Sequence, residues 1–520
     1  MAANKHRFLF IGLLLGLSLF AVACDKETSD PPAFSTDPTA ITTTEPAATE
    51  PVPTEPTVIS NGIRGIGDVI TNPFSGISSI GDPFILADGG KYYLYGTTIG
   101  NGFKCWRSDT LGSWSEVGIV LKRNTDSFGV DCYWAPEVFR YRDRYYMVYS
   151  ARNAAHRMSI CLASADSPEG PFTDCFGGKP LYAPDYSVID ASVFLDDDGR
   201  IYLYYSRDCS ENVINGIQTS QSFGIELNAD LTGTIGEPVL LATPDCDWEK
   251  QTISWKMLWN EGPCVLKHNG TYYLMYTANG YTTNAYSVGY ATSSSPLGPF
   301  VKSPSNPILK GDGKYVSGTG HNNYFYSPDG TEVYTVYHCH ADPSNTSGAR
   351  VPAVGRLIFD EDGSLSVFGP IKLRQSLPNG ENGLYKLKTG INVTLKDKDM
   401  DLTPVLTDGK AATAEKNSYV SLSSEDRICI LLDTPRELTY VWVYLGADAS
   451  ALPRKASLLI NGEYLIKEIN CGTVPLAGVF FALSTLPEGT EIRSLELSFT
   501  LAEGTDHAEI GEIELQYREE

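Results

Sequence analysis

Positive charge is scarce in this 520-residue chain: 40 Lys and Arg stand against 63 Asp and Glu, a formal net charge of −23. No basic stripe is present to displace counterions from a polyphosphate, which excludes nucleic acid as a partner. Metal-type cysteine spacing is missing as well, since none of the 11 Cys form a C-x-x-C pair. Helical heptads are absent. The one long apolar run, Phe8 to Val22, falls short of the roughly 20 residues that a membrane helix needs. What is present is 48 Gly and 30 Tyr, with abundant Thr and Val, a composition of short strands joined by tight turns. The fold class expected is all-β.

Residues 1–24 read as an export signal: Lys5 and Arg7, the apolar run, then Ala21-Val22-Ala23-Cys24. The Cys after a small residue resembles a bacterial lipobox, with Cys24 as the lipidation site. A cleaved signal with a chance cysteine is the alternative. Residues 25–60 follow as a spacer, with seven Pro between Pro31 and Pro56 among Thr, Glu, Asp and Ala, too poor in apolar surface to fold. Together these predict an exported bacterial cell-surface lipoprotein that touches the membrane only through its anchor. Of the other ten cysteines, Cys161 with Cys175 and Cys429 with Cys471 are candidates for local disulfides. Buried thiols on strands are the equal alternative.

From residue 81 to about 370 one pattern recurs five times: GDPFILADGGKYYLYGTT, WAPEVFRYRDRYYMVYSA, IDASVFLDDDGRIYLYYS, NEGPCVLKHNGTYYLMYTAN and GHNNYFYSPDGTEVYTVYHCH. Each is a strand, a Gly- or Asp-bearing turn and a Tyr-rich strand, with a further strand-like stretch after most copies. Such units predict a five-bladed β-propeller over residues 61–390. A sandwich of similar hairpins would not need its repeats in register. Counted back from the second strand, Asp82 lies 12 residues before Leu94 and Ala135 12 before Met147. Asp190, Glu261 and His321 lie 13 before Leu203, Leu274 and Tyr334. The column Asp, Ala, Asp, Glu, His is thus expected at one end of the central channel.

Packing gives no reason to gather Asp82, Asp190 and Glu261, because like charges in a confined site disfavour one another's ionisation. Glycosidic hydrolysis does: one carboxylic acid protonates the leaving oxygen, while a carboxylate activates water or attacks the sugar. A third carboxylate keeps the acid protonated and oriented. Spacing assigns no roles among the three. The run Asp196-Asp197-Asp198-Gly199 lacks the ligand spacing of a calcium loop and reads as a solvated turn.

These residues resemble glycoside hydrolase family 43, five-bladed propeller enzymes acting on pentose-containing plant polysaccharides. The carriers are Gly81-Asp82-Pro83, Trp134-Ala135-Pro136-Glu137, Ile189-Asp190, Glu261-Gly262-Pro263 and Gly320-His321-Asn322. The resemblance implies Asp82 as general base, Glu261 as general acid, Asp190 as the residue tuning that acid, and inversion at the anomeric carbon. It implies no cofactor for the chemistry. His321 resembles a channel histidine that holds a structural calcium through water, or else is a hydrogen-bonded core histidine. Arg350 is similar in spacing to an arginine set against sugar hydroxyls. Trp134 and Glu137 are expected to line the pocket with His321 and Arg350. Ala191 stands where many relatives have Pro. The interval from Asp190 to Glu261 is 71 residues, against 53, 55 and 60 elsewhere, and holds Trp248, Trp255 and Trp259 as a sugar-stacking rim or as ordinary core.

Residues 391–520 lose the Tyr-rich repeats and alternate apolar with polar, which predicts a C-terminal β-sandwich. Leu406 to Gly409, the strand ending at Leu432-Asp433 and Ile510 to Leu515 are similar to the discoidin (coagulation factor 5/8 type C) fold, implying a glycan-binding accessory module. Trp442, in mid-strand, is expected in its core. The functional expectation is a monomeric, inverting glycoside hydrolase for arabinose- or xylose-containing plant polysaccharide, of the α-L-arabinofuranosidase, arabinanase or β-xylosidase type. The alternatives are a non-catalytic cell-surface glycan-binding lipoprotein and a galactan- or fructan-directed propeller glycosidase.

Overall fold

The Tyr-rich strands are buried along almost every residue, as in Tyr92–Tyr95 and Tyr272–Ala278. A strand with one wet face would alternate, so these must be covered on both sides. The computed structural model, which describes residues 55–63, 65, 67–398, 400–413 and 418–519, shows how. Five antiparallel sheets stand around an axis. Blade 1 is Gly81–Asp88, Lys91–Thr97, Gly102–Ser108 and Ser115–Lys122. Blade 2 is Asp131–Tyr141, Arg144–Arg152, Met158–Ala165 and Thr173–Asp174. Blade 3 is Val188–Leu195, Ile201–Arg207, Gln221–Leu227 and Thr234–Ala242. Blade 4 is Asn260–His268, Thr271–Ala278, Ser287–Ser293 and Val301–Lys302, with Leu309–Lys310 also on its third strand. Blade 5 is Gly320–Tyr326, Val333–His340, Arg350–Phe359 and Leu365–Phe368. The first strand of each blade packs against the first strand of the next, and blade 5 against blade 1, which closes the ring.

Two sheets form a sandwich beside the propeller. One carries Tyr464–Asn470, Pro453–Ile460, Ile492–Leu501, Arg427–Arg436 and Ile391–Leu395; the other Leu384–Lys386, Ala508–Arg518, Tyr440–Leu445 and Gly478–Ala482. Along Tyr440–Leu445 the strand period of two sorts the side chains. Val441, Val443 and Leu445 point into the sandwich core, while Tyr440, Trp442 and Tyr444 pack against Phe74, Phe325 and Phe368 of the propeller side. Trp442 is fully buried. The sandwich begins before residue 391, because Leu384–Lys386 already pairs with its last strand. It also recruits Thr57–Ile59, from the stretch expected as spacer, as a parallel edge strand on Tyr464–Ile466. Residues 1–54, with Cys24, the expected signal and most of the expected spacer, lie outside the described residues. The ten cysteines from Cys105 to Cys471 are all free thiols, so neither candidate disulfide forms.

Buried charge ties the two parts together. Arg356 of blade 5 reaches Glu514 of the sandwich at 2.7 Å and Glu332 at 3.4 Å, and Lys386 reaches Glu332 at 2.9 Å. Burial raises the pKa of Glu332, but the Lys386 and Arg356 charges overcome it and hold the carboxyl at about 2. Removing one partner from such a network strands the others without water. Arg356→Met is therefore expected to lower the unfolding free energy by about 3–5 kcal/mol in urea titrations.

Candidate active site

Each blade's first strand breaks register at one equivalent place, and that of blade 2 breaks once more between Asp131 and Trp134. The ladder skips from Gly81 to Phe84, Trp134 to Glu137, Ile189 to Ser192, Glu261 to Cys264 and Gly320 to Asn323. The residue after each break is left-handed: Asp82 (φ 52°), Ala135 (42°), Asp190 (57°), Gly262 (58°) and His321 (48°). Four of these five are not glycine and cost of order 1 kcal/mol each, so something must hold them.

Hydrogen bonds across the blades do so. The N–H of Ala135 donates to Thr97 Oγ1 (2.9 Å), that of Asp190 to Ser150 Oγ (2.9 Å), that of His321 to Thr277 Oγ1 (2.8 Å) and that of Asp82 to His338 Nδ1 (3.2 Å). Every acceptor sits near the end of a blade's second strand and serves the following blade. The fifth acceptor, Ser206, is buried without a partner, because Gly262 donates instead to Asp190 Oδ2 at 3.3 Å.

The structural column is thus Asp82, Ala135, Asp190, Gly262 and His321, a correction to the expected one. Glu261 stands one residue earlier, level with Trp134. The hairpin turn explains the slip. Blade 4 closes with the two-residue loop between His268 and Thr271, as blade 1 does between Asp88 and Lys91. The count of 12 that holds in blade 1 therefore applies in blade 4 and lands on Gly262. A Cβ there would lie 3.2 Å from the His321 ring, so glycine carries the turn while Glu261 beside it supplies the carboxyl.

The three carboxyl groups meet at the channel mouth in different surroundings. Asp82 Oδ1 lies 2.8 Å from Arg350 Nη1 and 3.4 Å from His321 Nδ1, and the Thr97 hydroxyl donates to its Oδ2 at 2.6 Å. Burial pushes the Asp82 pKa up, yet Arg350, His321, His338 and the Thr97 bond outweigh it and hold the group well below the usual carboxylate range. A Cβ on Gly81 would overlap the Arg350 guanidinium, so that glycine admits the pair. Glu261 has no such partner. Burial and the charges of Asp82 and Asp208 raise it to about 8, against the Tyr286 hydroxyl, which donates to Oε1 at 2.8 Å, and against Arg350. Asp190 is raised to about 7 by burial, Glu261 and Asp82, against His321 and the Gly262 N–H. Such coupled groups titrate as a set. At neutral pH the site holds an ionised Asp82 and a protonated Glu261.

The loop from Asn279 to Tyr286 serves both ends. Tyr286 binds Glu261, and the Tyr281 ring lies under the Arg350 guanidinium at 4.7 Å. Tyr286 also stacks on His338 (5.4 Å, 14°), and His338 on His321 (6.4 Å, 27°). His338 is fully buried and held neutral by burial and Arg350, so Nδ1 is free to accept the Asp82 N–H.

Trp134 is 37% exposed beside Ala135. Glu137 lies one layer deeper, accepting from Asn323 Nδ2 at 2.6 Å, and is raised to about 8 by burial against the Ser192, Asn323 and Val193 bonds. It is bonded within the channel and does not join Asp82 and Glu261. Of the insertion's tryptophans, Trp248 stacks on Tyr276 inside blade 4 and Trp255 is exposed. Thr97, Asp208, Tyr286 and His338 escaped the sequence reading. The acceptor column was visible, as Thr97, Ser150, Ser206, Thr277 and His338 each close a Tyr-rich strand.

Calcium takes six to eight oxygens. Among the described residues the one cluster of three ligating side chains is Asp245, Cys246 and Glu249, where Lys302 Nζ already sits 2.6 Å from Asp245 and 2.7 Å from Glu249. The channel around His321 presents no direct calcium ligand set among those residues.

A base kept ionised and an acid kept protonated across one opening form the machinery of a glycosidase. The family model of glycosyl hydrolases family 43 matches residues 70–365, and the chain belongs to that family. It is 29% identical over 300 residues to the β-D-galactofuranosidase of Aspergillus niger, covering 55% of this chain and 81% of that one. It is 30% identical over 256 residues to the arabinoxylan arabinofuranohydrolase of Bacillus subtilis, covering 45% of this chain and 46% of that relative, less than half its length. The crystal structure of a thermostable family-43 glycoside hydrolase superposes with a TM-score of 0.57 at 45% identity, over 60% of this chain and 99% of that one.

Because the Tyr286 bond favours the ionised form of Glu261, Tyr286→Phe is expected to raise the Glu261 pKa above about 8. Carboxyl-carbon NMR titration reads this directly.

Proposed function

We propose that the protein is an inverting glycoside hydrolase that releases pentofuranosyl or xylosyl residues from arabinose- or xylose-containing plant polysaccharide. The observation that carries this reading is the opposed surroundings of two carboxyl groups at one channel mouth, Asp82 against Arg350 at 2.8 Å and His321 at 3.4 Å, and Glu261 against the Tyr286 hydroxyl at 2.8 Å. Glu261, protonated to about pH 8, gives its proton to the glycosidic oxygen as the bond breaks. Asp82 takes a proton from the water that attacks the anomeric carbon from the opposite face. Asp190, through the Gly262 N–H and its own charge, orients Glu261 and disfavours its ionisation.

Arg350 and His321 have a role beyond substrate contact, since they keep Asp82 ionised. The furanoside-directed relatives support a furanose in the pocket. A calcium beside His321, if the channel takes one, is structural and held through water; a rise in melting temperature on adding calcium, reversed by chelator, is its test. The sandwich as a discoidin-like glycan-binding module, export with a lipid anchor at Cys24, and a monomeric state belong to the same reading. The support for the first two is the strand pattern and the Ala23-Cys24 signal.

Asp82→Asn and Glu261→Gln are each expected to lower hydrolysis of arabinan, arabinoxylan or aryl α-L-arabinofuranoside by about 10²–10⁴-fold while leaving the fold intact. Binding of these glycans with no release of reducing ends by the unaltered protein would establish the lectin alternative. Proton NMR of the first-formed sugar is expected to show the inverted anomer.

For pH, kcat/KM needs Glu261 protonated, so it falls as pH rises through about 8. Asp82 is ionised throughout the weakly acidic range and sets no limb there. Because Asp208 raises the Glu261 pKa, Asp208→Asn is expected to move the alkaline limb to lower pH with the plateau retained.

A further inference from the structure

The long connection from blade 3 into blade 4 and the loop from Asn279 to Tyr286 leave an aromatic surface that the catalytic chemistry does not use. Trp255 is 50% exposed and Tyr281 49%, yet both are fixed from beneath. Trp255 ends a short 3₁₀ turn, Ile253–Trp255, closed by left-handed Lys256 (φ 57°). Its ring lies over Gly280, where a Cβ would come within 3.1 Å, and meets Trp259 edge to face at 6.4 Å. The connection is anchored by buried Glu249, which receives Lys302 at 2.7 Å and Tyr276 at 2.8 Å. Gln251 N–H donates to Asn279 Oδ1 at 2.9 Å, and Asn279 Nδ2 to the Trp248 carbonyl at 2.8 Å. Tyr281 is held by its carbonyl, which accepts from His340 Nε2 at 2.7 Å, and by Arg350 over its ring.

We propose that Trp255 and Tyr281 form a second sugar-binding platform, continuous with the active site, for a residue of a neutral oligosaccharide or polysaccharide beyond the bond being cleaved. Three observations commit the surface to a sugar chain. It is continuous with the reaction centre, because Tyr281 touches the same guanidinium that grips Asp82, and Gly280 beside it carries Trp255. Its exposed part is aromatic, the chemistry that stacks on the C–H face of a sugar ring. It is preorganised, so binding orders little and the stacking contribution is retained. A membrane or protein partner would ask for a broader apolar patch than two rings on a pinned turn.

The inference rests on the reading of the site as a glycosidase, and its test separates the two. In the full-length protein, Trp255→Ala is expected to raise KM for arabino-oligosaccharides of three or more residues, or for arabinoxylan, on the order of tenfold. The kcat/KM for aryl α-L-arabinofuranoside, which has no sugar to place there, stays within about twofold. Trp255→Phe keeps a ring and restores most of the loss. In the Glu261→Gln background, calorimetric titration with the same oligosaccharides reads the platform without turnover, and Trp255→Ala weakens binding by a similar factor. Equal binding with and without Trp255, no oligosaccharide binding by the Glu261→Gln protein, or an equal effect on aryl and oligomeric substrates overturns the platform. Failure to hydrolyse any pentoside while the calorimetric difference persists overturns the substrate reading and leaves the platform standing.

Discussion

The left-handed residue at the top of each blade's inner strand is the constraint from which the site follows. An L-residue at positive φ is costly, and a bulged strand has an N–H with no ladder partner. A hydroxyl or imidazole from the preceding blade meets that N–H, so the bond that relieves the local strain also couples one blade to the next. Blade packing and side-chain aim are then one interaction. The turned residue points its Cβ toward the axis, and whichever residue stands there enters the channel mouth. A propeller built this way delivers five positions to one place before any chemistry is chosen.

Chemistry enters where the fivefold rule is broken. In blade 5 the acceptor is His338 in place of Ser or Thr, and its ring stacks between Tyr286 and His321, joining the hydrogen-bond donor of Glu261 to the backbone of Asp82. In blade 4 glycine takes the left-handed position, so that the carboxyl of Glu261 comes from one residue earlier and the Gly262 N–H goes to Asp190, with the Ser206 hydroxyl left unpartnered. Asp82 and Glu261 are both carboxyl groups removed from water. They differ because Asp82 faces a guanidinium and two imidazoles, whereas Glu261 is offered a phenol and neighbouring carboxylates. Their opposite protonation states come from these neighbours more than from depth of burial.

Much of this is legible in the sequence because register is a covalent property. The five hairpins, Asp82 and Asp190 as column residues and Trp442 as a buried indole follow from period and spacing, whereas Arg350 beside the site came only with the family resemblance. Glu261 is the instructive miss: its carboxyl does reach the site, but one residue before the column position, because a count across a hairpin depends on the length of its turn. The partners of the carboxyl groups were harder to see. Tyr286 and Asp208 lie on loops, where no period fixes direction, and His338 reads as one more buried strand residue until its acceptor role is known. Glu137, next to the tryptophan of a motif, looked like a pocket residue; strand alternation puts it a layer below, bonded to Asn323.

The sandwich completes the argument at the place where a propeller is weakest. Blades 1 and 5 are joined by no chain connection of their own, and of the groups that lower the Asp82 pKa all but Thr97 lie across that seam: Arg350, His321 and His338 are on blade 5. Tyr440, Trp442 and Tyr444 lie in one apolar cluster with residues of both blades, Tyr92 and Leu94 on one side and Phe325 and Val354 on the other. Glu381 and Lys386 at the sandwich's entry repeat the pairing in polar form, the first accepting from Tyr92 at 2.6 Å and the second bound to Glu332. The sandwich thus packs over the seam across which Asp82 meets Arg350 and His321. Glu261, on blade 4, lies away from that seam, next to the connection from blade 3 that carries the exposed Trp255.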